Sequence, residues 1–184
     1  MSVLSQPAYF AHANMFHHQG KPVLIKLIIA TILRDGSDHE IMCITVNNAG
    51  QNSKSKDFRS SCQENARLRL LHHTLPNSVL VEYLPFCMRG KFSQLARGNR
   101  GLMVVKGGEQ QKIFQELGLY AMALENLPKF KDICYGTFPN PVHEGVHKEE
   151  DISYCTMLKS YQFAKYLQQF NKLRAEWSYK VTVQ

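Results

Sequence analysis

The predicted fold is decided by Arg59-Ser-Ser-Cys-Gln-Glu-Asn-Ala-Arg-Leu-Arg-Leu-Leu-His-His73, then Pro76-Asn77, then Ser78-Val-Leu-Val-Glu-Tyr-Leu-Pro-Phe-Cys-Met-Arg-Gly90. Ser61 and Glu64 have the spacing of a capping box, which predicts that an amphipathic helix begins here. The apolar run 78–84 predicts a buried strand, followed by a loop that contains Pro85 and Cys87. A helix that alternates with a strand in this way is typical of an α/β protein.

Two strands are predicted before this stretch. Val23–Leu33 is β-branched and almost wholly apolar, which predicts a central strand covered on both faces. Glu40–Val46 predicts a second strand, and Asp35-Gly36 between them predicts the turn of a hairpin. Residues 1–20 are rich in Ala, His, Gln and Asn, which predicts a short helix or an irregular arm packed on the core.

Further elements follow the stretch. Leu102–Val105 predicts a strand, and Glu109–Leu117 predicts an amphipathic helix that ends at Gly118. The apolar pattern of Asp151–Trp177 predicts a long C-terminal helix. The predicted fold class is therefore α/β, a three-layer α/β/α sandwich on a mixed sheet of four to five strands that opens with a β-hairpin. We predict a single domain over 1–184, with an arm at 1–20, a core at 23–117 and a C-terminal extension at 118–184.

Composition excludes several classes of protein. With 44% hydrophobic and 20% charged residues, the 184-residue chain can bury a core, which excludes a disordered protein. Five cysteines, an odd number at wide spacing, predict a reducing, cytoplasmic compartment in which the thiols are buried or bind metal. The N-terminus lacks the pattern of a signal peptide. The longest apolar run is shorter than the roughly 20 residues of a membrane-spanning helix, so we predict no membrane partner.

The charge of the chain predicts a polyanionic partner. The formal net charge is +7 and the sequence pI is about 9.2, which favours nucleic acid. Basic residues interleaved with aromatic residues suit single strands, through phosphate contacts and base stacking. The alternative is a solvated basic edge with no such partner. The residues concerned are Arg89, Lys91, Arg97, Arg100 and Lys106, with Phe86 and Phe92 between them.

Two cysteines and a glutamate form the first candidate site. Cys62 and Glu64 lie at the start of the predicted helix, and Cys87 follows the next strand. A helix N-terminus favours the thiolate form of cysteine, and a catalytic zinc needs three protein ligands plus an open position for water. A nearby carboxylate can move a proton between that water and a substrate nitrogen. The alternative for Glu64 is a purely structural role in the capping box.

This order of elements resembles the zinc-dependent cytidine deaminase superfamily over residues 23–117. That family has a His/Cys-x-Glu helix, a strand and a Pro-Cys-x-x-Cys loop. The resemblance implies a zinc-dependent hydrolytic deaminase that acts on a nucleobase in a nucleoside or nucleic acid. The chain departs from the family in the second loop, because one residue separates Pro85 from Cys87 and Gly90 stands where the paired cysteine is expected.

The resemblance also assigns roles to residues. It implies Cys62 and Cys87 as zinc ligands and Glu64 as the proton shuttle. It places Asn47 or Asn48 where the family contacts the sugar or base. Apart from the resemblance, Phe86 and Arg89 are expected to contact the substrate because they belong to the basic and aromatic set at the rim of the site.

The stretch His143-Glu-Gly-Val-His147 is an alternative metal site. On a helix the two histidines share a face and Glu144 can act as general base, as in zinc metalloproteases. Loop histidines without a metal are the alternative. The sequence thus leaves three hypotheses: a zinc-dependent deaminase, a non-enzymatic nucleic-acid-binding or assembly protein with a degenerate site, and a zinc metalloprotease.

Overall fold

The computed structural model describes residues 6–48, 78–127, 160–169 and 171–172. Within these ranges, six strands form one sheet: β1 (Pro7–His18), β2 (Lys21–Thr31), β3 (Ile41–Asn47), β4 (Ser78–Leu80), β5 (Leu102–Val105) and β6 (Met122–Ala123). Three helices accompany them: α1 (Leu84–Ala96), α2 (Gly108–Glu116) and α3, whose described helical residues are 160–169 and 171–172.

The sheet is mixed, with the strand order β4-β3-β2-β1-β5-β6. Strand β2 is antiparallel to both of its neighbours, whereas the β3–β4, β1–β5 and β5–β6 pairs are parallel. Five strands therefore point the same way, and their C-terminal ends share one edge, which we call the carboxyl edge. The predicted α/β class with a mixed sheet is confirmed, but the sheet has more strands than the four to five predicted.

The N-terminus departs from its prediction. A short helix or irregular arm at 1–20 is wrong for the described part, because Pro7–His18 is a 12-residue strand paired on both sides. Strand propensity depends on context, and pairing on both sides outweighs the low propensity of its Ala and Asn residues. The turn into β2 places Gln19 and Gly20 at φ angles of 50° and 73°, as a two-residue hairpin turn requires. Gln is not a usual signal for this turn.

The predicted hairpin of the second and third strands is confirmed. Residues 26–30 of β2 pair antiparallel with residues 41–45 of β3, and positions 25–31 are buried without interruption. The burial includes Lys26, whose cross-strand neighbours Asn14 and Thr45 are both polar. Polar neighbours lower the cost of burying an ammonium group. The connection at 32–40 is longer than a two-residue turn, and Gly36 in it has a φ of 79°.

The predicted third strand and its loop need correction. The strand ends at Leu80, a 3-10 turn covers Val81–Tyr83, and helix α1 begins at Leu84. Pro85 lies in the first turn of α1, where its missing N–H costs no helical hydrogen bond. The expectation of a loop at Pro85 and Cys87 is therefore wrong, since both residues are helical.

The later elements agree better with the sequence. Strand β5 has the predicted bounds, and α2 ends as predicted before Gly118, whose φ of 82° suits a helix C-terminus. Within the predicted C-terminal helix Asp151–Trp177, the described residues 160–169 and 171–172 are helical. The flanking positions 151–159 and 173–177 lie outside the described residues.

Helices pack on both faces of the sheet. One buried cluster joins the sheet to α1 and α2 through side chains such as Met88 and Phe114. The other joins the opposite face to α3, where the rings of Phe10 and Phe163 stack with centroids 4.6 Å apart. Each fully buried side chain of this kind contributes roughly 1.5–3 kcal/mol. This arrangement agrees with a sandwich of helices around a mixed sheet.

Beyond the end of β5, a side chain of α2 forms the hydrogen bonds to β1 that a neighbouring strand would otherwise form. Ala13 pairs with Leu27 of β2 on one side, but the β1–β5 ladder stops at Ala11, so no described strand residue pairs with Ala13 on its other side. The N–H of Ala13 donates to Oε1 of Gln110 at 2.7 Å, and Nε2 of Gln110 donates to the carbonyl of Ala13 at 2.8 Å. Both bonds are buried, so one amide side chain replaces a strand residue at this position.

The β2–β3 connection is fastened to α3. Nε2 of Gln168 donates to the carbonyl of Leu33 at 2.9 Å, and the ring of His39 packs edge-on against Tyr161. Nδ1 of His39 lies 2.6 Å from the carbonyl of Thr31, to which it donates, and its Nε2 is buried with no hydrogen-bond partner among the described residues. Burial lowers the pKa of His39, and nearby Lys165 acts in the same direction, against the Thr31 bond and Asp38.

We expect the stability of the protein to fall as the pH drops from about 7.5 to about 5, with part of the fall caused by His39. Its pKa is lower in the folded state than in the unfolded state, so the folded state favours the neutral ring. The contribution of His39 to the free energy of unfolding is therefore complete above the pKa of the unfolded state, about 6.5. It is lost as the pH falls from there towards the pKa of the folded state. Thermal unfolding of wild type and His39→Gln across this range measures it. Equal pH slopes for the two proteins would contradict the assignment.

Candidate nucleic-acid interface

The first candidate zinc site is only partly within the described residues. Cys62 and Glu64 lie outside them. Cys87 is in the first turn of α1, half-buried and with a free thiol. Residue 47, the last of β3, pairs with Leu80, the last of β4, so Asn47 and the segment leading into α1 meet at the carboxyl edge. Asn47 and the end of β4 therefore lie side by side at this edge, and Cys87 follows later in the chain, in the first turn of α1.

The side-chain amide of Asn48, a predicted substrate contact, is engaged in a hydrogen bond within the protein. Its Nδ2 donates to the carbonyl of Leu24 at 2.9 Å, which ties the end of β3 to β2. Its Oδ1 is buried, and no described group donates to it. The second candidate site, His143, Glu144 and His147, falls wholly outside the described residues. In the described ranges, no three His, Cys, Asp or Glu side chains are grouped as a metal site would need.

The outer surface of α1 carries exposed basic and aromatic side chains. Residues spaced three or four apart on a helix lie on one face, and five such positions are exposed here. Tyr83 is 59% and Phe86 77% exposed, although large aromatic rings are usually buried. We call this surface the α1 outer stripe; it consists of Tyr83, Phe86, Arg89, Ser93 and Arg97.

The sequence around the stripe lacks acidic residues. Between Glu82 and Glu109 the chain contains five Lys and Arg residues and no Asp or Glu. Arg97 has an ion pair with Glu40 at 3.3 Å, and both side chains are largely exposed. An exposed pair of this kind contributes about 0–1 kcal/mol, so a phosphate can replace the carboxylate at little cost. The stripe therefore presents positive charge that an anionic partner can reach.

Two members of the predicted basic and aromatic set lie elsewhere. Phe92 faces inwards, and its ring packs edge-on against Tyr9 with centroids 5.0 Å apart. Lys106 lies 5.5 Å from the ring centroid of Phe163, in the cluster on the α3 face of the sheet. Because of these contacts, neither residue contributes to the stripe. The sequence alone could not show this, since the alternation of basic and aromatic residues does not reveal which face of an element each one occupies.

Arg89 lies against the end of α2. A Cβ at Gly118 would lie 3.3 Å from Cδ and 3.4 Å from Nη1 of Arg89, so the side chain passes close to this glycine. A guanidinium near a helix C-terminus is favoured by the partial negative charge of the last carbonyls. Tyr120, two residues further, is 72% exposed. The sequence marks Gly118 only as a helix end, because its proximity to Arg89 is a tertiary contact, and it gives no signal for the exposure of Tyr120.

Comparisons with known proteins give no relative. No family model, no curated protein and no solved structure matches this chain. Among the described helices, none combines the length and the apolar character that crossing a membrane requires.

Proposed function

We propose that this protein binds nucleic acid through the α1 outer stripe. The observation that carries the proposal is the exposure of Arg89, Arg97 and Arg100 in the segment between Glu82 and Glu109, which contains no acidic residue. A phosphate backbone is attracted by such a surface, and each neutralised phosphate releases counterions to solution. Arg suits the role because its planar guanidinium can donate two parallel hydrogen bonds to phosphate oxygens.

The charges of the stripe, together with the adjacent Arg100, set an expected salt dependence. Arg89, Arg97 and Arg100 are exposed around one helix and its C-terminal end. If each neutralises one phosphate, the logarithm of the binding constant falls with the logarithm of the salt concentration with a slope of about −2 to −3. A binding constant that does not change with salt would contradict the proposal.

Reversing the charge of Arg89 is expected to weaken binding by about tenfold or more and to make the salt slope shallower by about 1. The matched control is Lys112→Glu, an exposed charge reversal on α2 between Glu109 and Glu116. Fluorescence anisotropy of a labelled oligonucleotide, measured at several salt concentrations, compares the two variants. Equal losses for Arg89→Glu and Lys112→Glu would show that only net charge matters, and the stripe would not be the binding surface.

A zinc-dependent deaminase that acts on a nucleobase is our second proposal. The parallel pairing of β3 and β4 favours it, because Asn47 and the segment leading into α1, which carries Cys87, share the carboxyl edge. In this proposal Cys62 and Cys87 would be ligands of the zinc, the zinc would lower the pKa of a water molecule, and Glu64 would move a proton to the substrate nitrogen.

Metal analysis of the purified protein tests the second proposal. It predicts about one zinc per chain, lost in Cys62→Ala and in Cys87→Ala, as expected for a site with few protein ligands. Glu64→Ala is expected to keep the zinc and to lose deamination. Zinc that is lost only in His143→Ala would instead favour the metalloprotease hypothesis, and protein without zinc would leave nucleic-acid binding as the function.

A further inference from the structure

We infer that the nucleic acid bound by this protein is single-stranded, and that Phe86 and Tyr120 stack on its bases on either side of Arg89. The inference rests on the proposed nucleic-acid binding. Phe86 and Tyr120 are the two most exposed large hydrophobic residues of the described chain, at 77% and 72%. Both are aromatic, and both belong to the surroundings of the same arginine.

The geometry connects the three side chains. Phe86 precedes Arg89 by three residues on α1, so the two are neighbours on the helix surface. The side chain of Arg89 passes close to Gly118, and Tyr120 follows Gly118 at a distance of at most about 7 Å between their Cα atoms. Both exposed rings are thus linked to Arg89, Phe86 through the surface of α1 and Tyr120 through Gly118.

Gly118 acts as a positioning residue, because the absence of a Cβ leaves room for the side chain of Arg89. Its φ of 82° is unfavourable for other residues, and a Cβ there would be in tight contact with Cδ and Nη1 of Arg89. Glycine lets the Arg89 side chain pass close to the end of α2 while it remains exposed. A guanidinium fixed in this way needs less ordering when it binds a phosphate.

Exposed aromatic rings distinguish single strands from duplexes. In a duplex the faces of the bases are covered by their neighbours, and a protein surface meets mainly phosphates. In a single strand the bases are free to stack on aromatic side chains, and each such contact changes affinity by about fivefold to a hundredfold. Cations alone bind both forms, whereas the pair of rings around Arg89 gives single strands an added contribution.

The test uses the full chain and two fluorescent probes of the same mixed sequence, a single strand of about 12 nucleotides and the corresponding duplex. We expect the single strand to bind at least about tenfold more tightly, and Phe86→Ala and Tyr120→Ala each to remove most of this difference. Phe86→Tyr and Tyr120→Phe keep an aromatic ring and are expected to retain it, whereas Phe86→Leu is expected to lose it. Because both positions are exposed, thermal unfolding of the variants is expected to match wild type.

The positioning role of Gly118 has its own readout. Gly118→Ala is expected to weaken single-strand binding in the wild-type background and to have no further effect in Arg89→Gln, because it acts through Arg89. Independent, additive losses would overturn that role.

Other results would separate the two proposals. Equal affinity for single strand and duplex, unchanged in both alanine variants while Arg89→Glu still weakens binding, would overturn the single-strand inference and leave nucleic-acid binding standing. No binding of either probe at low salt would overturn both. Self-association that disappears in Phe86→Ala would assign the surface to a second copy of the chain and overturn the inference.

Discussion

Replacing Gly101 by alanine is expected to destabilise the protein by about 3 kcal/mol, at the upper end of what overpacking usually costs. A Cβ at this position would overlap the Cβ of Ala8, which is buried in β1 and attached directly to its backbone. A side chain that short cannot rotate away, so the strand itself has to move. Ala8 lies where the β1–β5 register shifts, between the pairs that Pro7 and Tyr9 make with β5. Movement there weakens the contact between the two halves of the sheet.

Gly90→Ala is the matched control for this prediction. Gly90 is exposed in the middle of α1, and a Cβ there meets nothing within 4 Å. Alanine in a helix interior is favoured over glycine by about 1 kcal/mol, so this variant is expected to be more stable than wild type. Urea unfolding followed by circular dichroism measures both. A loss below about 1 kcal/mol in Gly101→Ala would mean that the two strands are less closely packed than described.

Gln110→Leu is expected to cost about 3 kcal/mol as well, through hydrogen bonds instead of sterics. The substitution leaves the N–H and the carbonyl of Ala13 buried without partners, and each unsatisfied group costs about 1–3 kcal/mol. Leucine is close to glutamine in size, so the effect of lost packing is small. We also expect the amide hydrogen of Ala13 to exchange faster with solvent in this variant.

The control for Gln110→Leu is Gln115→Leu, the same change at an exposed position of α2. It is expected to alter the free energy of unfolding by no more than about 0.5 kcal/mol. Equal stability of the two variants, with unchanged exchange of the Ala13 amide, would show that the hydrogen bonds of Gln110 to Ala13 do not stabilise the end of β1.

Elements with a strong periodic pattern could be predicted from the sequence. The β2–β3 hairpin, β5 and α2 are where hydrophobic patterning and turn residues place them, because their burial follows from the sequence itself. Strand β1 could not be predicted. Its Ala, His and Asn residues carry little strand propensity, and its position comes from pairing with β2 and β5. The start of α1 was obscured by Pro85, which fits a loop and the first turn of a helix equally well.

The candidate interface could be predicted only in part. The basic residues near Arg89 can be read from the sequence. Which of them share an exposed face with Arg89 cannot. Phe92 and Lys106 belong to the same set by sequence, but in the structure they pack against Tyr9 and Phe163. Tyr120 carries no sequence signal, since it is linked to Arg89 only through Gly118, at the end of α2. The roles of Cys62, Glu64 and the His143 motif remain predictions.

Mapping the amide signals that shift when a single-stranded oligonucleotide is added to isotopically labelled protein tests the central claim most directly. We predict that the largest changes fall on Arg89, Ser93 and Tyr120, around the α1 outer stripe and the end of α2. Signals of α3 are predicted to stay unchanged. Changes confined to Asn47 and Asn48 at the carboxyl edge, with none at Arg89 or Tyr120, would contradict binding through the stripe.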